Sequence, residues 1–382
     1  MKRLFCAFLP VILLLAWLPV SAAAAPLEIK AKSALLMDVT TGTVLFEQNA
    51  HEALPPASVT KVMTLLLIME AIDSGAIGWN DTVTASETAA AKGGSQIYLK
   101  VGEAMSVADM VKSIAVSSAN DCACAMAEHL CGSESAFVDK MNQRAQELGM
   151  ADTYFVNCTG LDDDADAARH KTSAHDIAIM SAQLLKNHPD IKKYTTIWMD
   201  TVRNGTFGLS NTNKLIRFYP GATGLKTGFT AKAGYCLSAS AQRDGMELVA
   251  VVMGADSSQD RFNACKSLLD YGFANFALIA PSLEQLPTVS VKLGTANTVE
   301  AAPSGQSCLL IEKAQKSLVT TQISLEEQVT APVSQGQRLG TLTIKAGEQI
   351  IAQIPMVAKD SVPRLTFGDL FMKMLRYITM SK

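Results

Sequence analysis

Residues 33–47 carry two apolar runs on either side of Thr40-Thr41-Gly42, a pattern that predicts a β-hairpin. Pro55 and Pro56 then stop any earlier element and are tolerated just before a helix. From Val62 to Met69 nearly every residue is apolar, which predicts a helix buried on all sides, with Ser58 at its N-terminus. Val107–Ser117 has the opposite pattern: Val107, Met110, Val111 and Ile114 form one stripe, as in an amphipathic helix. A polar stretch, Ser117-Ser118-Ala119-Asn120-Asp121, leads into a second helix from about Cys122 to Leu130, closed by Gly132. The small apolar run Gly234–Ala241 and the run 246–253 read as strands joined through an Asp244-Gly245 turn.

The pattern changes near Ala280-Pro281. Helices and strands mix before that point; after it, 287–358 holds short alternating runs such as Thr341–Lys345, which predict a small all-β domain. Finally Leu370, Phe371, Met374, Leu375 and Ile378 recur at helical spacing, with Asp369, Lys373 and Arg376 away from the centre of that face. That pattern fits either a terminal helix packed on the β domain or, the sharper reading, an interfacial helix lying flat on a membrane surface.

Three short motifs fall on these elements: Ser58-Val-Thr-Lys61 where the buried helix begins, Ser118-Ala-Asn120 between the two helices, and Lys226-Thr-Gly228 on or beside a strand. Singly they are common; a Ser-x-x-Lys arises about once every few hundred residues at average composition. Their order and placement give them meaning. Ser58 meets unpaired backbone N–H groups at the helix start, and Lys61 follows one turn later on the same face, within reach of the hydroxyl. A lysine base must be neutral, against an ordinary pKa of about 10.4; burial and a second cation, for which Lys226 is the candidate, both favour that form. Gly228 leaves room for something to approach the backbone.

The combination is an established signature of penicillin-binding proteins and class A β-lactamases. The chain resembles the low-molecular-mass penicillin-binding proteins, the serine D-alanyl-D-alanine carboxypeptidases of bacterial cell walls. The likeness extends to Gly93-Gly-Ser, Leu148–Asn157, Thr159-Gly-Leu-Asp162, Asn211-Thr-Asn213 and Leu268–Phe273. It implies an α/β (α+β) transpeptidase-like fold, an antiparallel sheet flanked by helices, with the β-rich domain and amphipathic helix appended. It also implies roles: Ser58 as acylated nucleophile, Lys61 as base, Ser118 as proton relay to the leaving D-alanine and Asn120 as holder of the substrate amide. Lys226, Thr227 and Gly228 would face the terminal carboxylate, and the backbone N–H groups of Ser58 and Phe229 would form the oxyanion hole. Arg261 matches a family arginine that helps read the carboxylate. Phe229 stands where some members carry histidine, and Ala119 where glycine is commoner. The implied substrate is a peptidoglycan stem peptide ending in D-Ala-D-Ala, and β-lactams are implied covalent inhibitors.

Two other readings share these motifs. A class A β-lactamase needs a Glu-x-x-Leu-Asn segment for deacylation; none follows the middle motif, and Gly160-Leu-Asp-Asp-Asp is not one. A non-catalytic wall-peptide binder is disfavoured by three intact motifs. Met1–Ala25 reads as an export signal, with Lys2 and Arg3, an apolar stretch and an Ala-x-Ala end; the alternative is an uncleaved membrane anchor, for which the apolar run is short. The expected organisation is therefore 1–25 signal, 26–280 carboxypeptidase domain, 281–362 β-rich domain and 363–382 membrane-association helix. The expected location is the outer face of the cytoplasmic membrane, held peripherally. Removing the signal takes the formal charge from −3 to −5, and nothing suggests nucleic acid. The seven cysteines after Cys6 match no zinc spacing and read as small buried residues; His170 and His175 read as structural. Neither metal nor cofactor is expected.

Overall fold

The computed structural model describes residues 27–163, 166–280, 283, 285–305 and 308–378. The expected export signal lies outside the described residues.

One five-stranded antiparallel sheet organises the N-terminal part. Its strands are β1 (Ser33–Asp38), β2 (Val44–Gln48), β3 (Ala222–Thr230), β4 (Gly234–Arg243) and β5 (Met246–Ala255), in spatial order β2-β1-β5-β4-β3. The hairpins predicted at Thr40–Gly42 and Asp244-Gly245 both form. Asp244 and Gly245 have φ of 50° and 79°, the left-handed pair that suits the twist of a two-residue hairpin.

The two faces of this sheet feed different cores. Leu35 and Met37 of β1 join Val249, Val251 and Met253 of β5 in one cluster; Ala34 and Leu36 join Leu248, Ala250 and Val252 in the other. Both faces are covered, so these strands read as continuous apolar runs rather than alternating ones. On the first face lie α1 (Lys61–Asp73), α2 (Val107–Ser117), α3 (Asn120–Cys131), α4 (Glu134–Glu147) and α5 (Ala174–Asn187). On the second lies α6 (Ser258–Asn275), N-capped by Ser257, whose side chain accepts from the Asp260 N–H. Gly272 lets α6 sit close: a Cβ there would fall 2.4 Å from Leu248 Cδ1.

The expected break near Ala280-Pro281 is bridged by pairing. β6 (Phe276–Ile279), just before it, pairs antiparallel with β9 (Leu309–Glu312), which follows β7 (Thr288–Lys292) and β8 (Thr298–Pro303). The rest of this region is a six-stranded sheet with β10 (Val319–Leu325), β11 (Gln328–Thr330), β12 (Arg338–Ala346) and β13 (Gln349–Ala358), ordered β10-β12-β13-β8-β7-β11. It has its own core around Val289, Leu342, Ile344 and Met356.

The chain ends in α7 (Phe367–Ile378), entered through Thr366, whose Oγ1 accepts from the Asp369 N–H at 3.2 Å. No helix among the described residues is long and apolar enough to cross a membrane. All seven described cysteines are free thiols, five of them buried.

Candidate active site

Ser58 stands in a short 3-10 turn, Ala57–Thr60, and α1 begins only at Lys61. The sequence places Ser58 at the helix start; the extra turn arises because Ala57 takes a left-handed φ of 48°, which redirects the chain after the two prolines. Strain of this kind is kept where surrounding packing over-determines the backbone. Gly160 supplies part of that packing: its φ is +83°, and a Cβ there would fall 1.8 Å from the Ala57 carbonyl oxygen. Gly228 presses from another side, since a Cβ there would meet the Pro56 carbonyl oxygen at 2.6 Å and the Ser58 nitrogen at 3.1 Å. Strand β3 thus reaches the turn only because residue 228 lacks a side chain.

Lys61 Nζ lies 3.0 Å from Ser58 Oγ and donates to the Thr159 carbonyl at 2.7 Å. The lysine is fully buried. Desolvation pushes its pKa down to about 7, against weaker upward pulls from Cys158 and Asp121. A neutral amine beside a serine hydroxyl is a general base in place for a nucleophile.

The loop that accepts from Lys61 is held by Asn157, whose Oδ1 accepts from the N–H groups of Thr159 at 3.2 Å and Gly160 at 2.7 Å. Asn157 and Thr159 lie in segments that carry the family likeness, but motif reading assigns them no role; the structure makes Asn157 the brace of the turn and the Thr159 carbonyl the acceptor for Lys61. His170 accepts the structural part expected of it, with Nε2 2.8 Å from Thr60 Oγ1.

Ser118 C-caps α2 in a left-handed conformation, φ 64°, and is buried. Its Oγ and Asn120 Oδ1 have no hydrogen-bond partner among the described residues. Asn120 opens α3 rather than preceding it, two residues earlier than the pattern predicts. Its Nδ2 donates to the Gly93 carbonyl at 2.7 Å, and its N–H donates to the Ser95 carbonyl at 2.7 Å. A Cβ at Gly94 would sit 2.7 Å from that Nδ2. The Gly93-Gly94-Ser95 segment is therefore the clamp that orients Asn120.

Lys226, Thr227 and Gly228 all lie within β3. Thr227 Oγ1 donates to Thr212 Oγ1 at 2.7 Å, and the Thr212 N–H donates to the Val116 carbonyl at 3.1 Å. Thr212 thereby ties the third motif to the end of α2 beside Ser118. Asn213 Nδ2 donates to the Gly224 carbonyl at 2.8 Å and fixes the start of the same strand. Lys226 is buried, with Nζ donating to the Thr227 carbonyl at 2.9 Å.

Burial is the main cause that holds Lys61 down, as expected, and Lys226 is driven well below the usual lysine range by burial and then by the cations Lys61 and Arg261, so the two lysines disfavour charge on each other. Charge on Lys226 is disfavoured, and no acid among the described residues offsets the two cations.

Phe229 projects outward, half exposed, and stacks on Tyr235 at 4.3 Å between centroids. Arg261 approaches β3 from α6. Its Nη1 donates to the carbonyls of Gly228 at 3.0 Å and Cys236 at 3.3 Å, so it braces the two paired strands where Gly228 faces Cys236. The three motifs thus lie side by side: Gly228 against Ser58, Lys226 within electrostatic reach of Lys61, and Thr212 joining β3 to the end of α2, with Arg261 behind β3. No cluster of three or more His, Cys, Asp or Glu suited to a metal occurs among the described residues.

Comparison with known proteins agrees with this arrangement. Residues 20–257 match the family described as D-alanyl-D-alanine carboxypeptidase, and residues 283–364 match the C-terminal domain of penicillin-binding protein 5. The chain is 41% identical over 379 residues to the D-alanyl-D-alanine carboxypeptidase DacF of Bacillus subtilis, covering 96% of each chain. It superposes on penicillin-binding protein 5 of Haemophilus influenzae with a TM-score of 0.77 at 31% identity, covering 89% of this chain and 99% of that one. It also resembles penicillin-binding protein D2 of Listeria monocytogenes in its ampicillin-bound form, with a TM-score of 0.59 at 32% identity over 65% of this chain and 99% of that one. The chain belongs to the D-alanyl-D-alanine carboxypeptidase family.

Proposed function

We propose that this protein is an exported serine carboxypeptidase that removes the terminal D-alanine from peptidoglycan stem pentapeptides and is acylated by β-lactams at the same serine. The observation that carries the reading is the buried amine of Lys61, pushed down to about 7, lying 3.0 Å from Ser58 Oγ. In this reading Lys61 takes the Ser58 proton as Oγ attacks the carbonyl of the penultimate D-alanine. The N–H groups of Ser58 and Phe229 stabilise the oxyanion. Ser118, whose hydroxyl has no other partner among the described residues, passes a proton to the leaving D-alanine, and Asn120 holds the substrate amide. Lys226 and Thr227 take the terminal carboxylate, with Arg261 bracing the strand that carries them. Water then hydrolyses the acyl-enzyme.

Mass spectrometry of products from a defined pentapeptide tests the reaction: loss of one D-alanine is expected, together with slow, stable labelling by a fluorescent penicillin. Rapid turnover of the label would instead mean a β-lactamase, and no labelling a binding protein. The pH profile follows from Lys61. The base works in its neutral form, so kcat/KM should rise about tenfold per pH unit below 7, stop rising above it, and fall again in alkaline buffer, where binding the carboxylate requires Lys226 to take up a proton. A profile flat from pH 5 to 8 would remove Lys61 from this role.

For location, we propose that residues 1–25 are a cleaved export signal and that α7 holds the enzyme on the membrane surface, with the β-rich region, 281–362, as a spacer below the 26–280 catalytic unit. Support comes from exposure: Phe367 is 88% and Ile378 74% exposed, so α7 leaves its apolar side chains uncovered rather than packing them on the β domain. Deleting residues 365–382 should release the processed enzyme from membranes while leaving its activity on soluble peptide unchanged. A truncated enzyme that stays membrane-bound places the anchor elsewhere.

A further inference from the structure

A second concave site lies far from Ser58. The Asp244-Gly245 turn, the end of α6 and the 3-10 turn Lys313–Leu318 border a cavity of about 400 Å³. Strand β4 fixes the separation. Cys236 pairs with Gly228, which lies against Ser58, and Arg243 is seven residues further along the same strand, roughly 23 Å away at about 3.3 Å per residue.

The lining is basic. Arg243, Lys313 and Lys316 face one carboxylate, Asp244, in a chain whose formal charge is −3. Arg243 is held rigid. Its guanidinium sits 4.5 Å from the Tyr219 ring centroid and 4.7 Å from that of Phe273, and its Nε donates to the Pro220 carbonyl at 3.1 Å. The carboxylate nearest to it, on Asp270, is 3.9 Å from Nη1 and accepts instead from the Tyr219 hydroxyl at 2.8 Å. The guanidinium is thus positioned by two rings and one carbonyl, with Asp270 as a long ion-pair partner and the Tyr219 hydroxyl beside it. Lys313 Nζ donates to the Phe273 carbonyl at 3.2 Å, and Lys316 has no ion-pair partner among the described residues.

We propose that this cavity binds a phosphate ester carried on a polyol or sugar. A pre-organised guanidinium whose one carboxylate partner is distant, backed by two ammonium groups, is suited to a phosphate rather than a neutral ligand. A cavity of this volume is larger than one anion needs and falls in the small-ligand range, and the rings of Phe273 and Phe276 give the C–H face of a polyol or sugar an apolar wall. The chemistry is shared by soluble polyol-phosphate chains and by phosphatidylglycerol headgroups. Either would engage the enzyme through a surface remote from the catalytic groove.

The test uses the full signal-processed chain. Calorimetric titration with soluble oligo(glycerol phosphate) should show binding that weakens as salt rises. Lys316→Glu should reduce it at least tenfold, Lys316→Arg should restore it, and release of D-alanine from soluble peptide should be the same in all three. A parallel titration with phosphatidylglycerol and phosphatidylcholine vesicles separates the sources: phosphatidylglycerol binding that falls in Lys316→Glu identifies a headgroup as the ligand. The proposal is overturned if the oligomer does not bind and vesicle binding ignores Lys316→Glu, or if oligomer binding survives both Lys316→Glu and Lys313→Glu.

Discussion

Ser58→Ala should abolish both D-alanine release and covalent uptake of penicillin, with kcat down by about 10⁴-fold or more, as when a covalent nucleophile is deleted from a serine hydrolase. The fold should survive, with the melting temperature changed by only a few degrees. The turn is set by Ala57, Gly160 and Gly228, none of which depends on the Ser58 hydroxyl. Lys61 also keeps the Thr159 carbonyl as acceptor. Peptide mapping of penicillin-treated protein gives the decisive measurement. Adduct on the peptide containing Ser58 in wild type and none in the variant is expected. Adduct in a folded Ser58→Ala protein would move the nucleophile elsewhere, and the next hydroxyl to test is Ser118, which is buried and unpartnered among the described residues.

Much of this site is legible in the chain because its parts are local. The stripe Val107, Met110, Val111 and Ile114 sets α2 to the residue, and the apolar run after Val62 marks a helix with no solvated face. The strands around Lys226 and the turn at Asp244-Gly245 follow from composition and turn chemistry. What escapes the sequence is non-local or conformational. No sequence rule announces a left-handed alanine at 57, so the 3-10 turn carrying Ser58 looks like an ordinary helix start. The acceptor for Lys61 lies 98 residues along the chain and is a backbone carbonyl, which has no residue signature. The pairing of β6 with β9 is invisible for a related reason: short strands on either side of a composition break look like separate units until their register is known. Charge balance is the hardest property to read. Two lysines in one site suggest mutual repulsion, but which of them yields depends on burial and on Arg261, a residue from another helix.

That asymmetry leads to the second large effect. Lys226 is buried beside the cations Lys61 and Arg261 with no acid offsetting them among the described residues, so its charged form is costly until a carboxylate arrives. A substrate ending in a free carboxylate supplies the missing counter-charge, and a ligand ending in an amide does not. Lys226→Ala should therefore lower kcat/KM for carboxylate-terminated peptides by about 10²–10³-fold, in line with about 2–5 kcal/mol for losing one partner of a buried charged pair. Amide-terminated analogues, poor substrates already, should lose less than tenfold. Binding of the carboxylate to wild type should take up a proton in alkaline buffer, since the bound state favours the ammonium form, and Lys226→Ala should lose that uptake. The rise in kcat/KM near pH 7 should stay close to its place in the variant, because burial is the main cause that holds Lys61 down. Equal losses for acid and amide ligands would sink the carboxylate role. A displaced pH rise would mean instead that Lys226 acts through Lys61 rather than on the substrate.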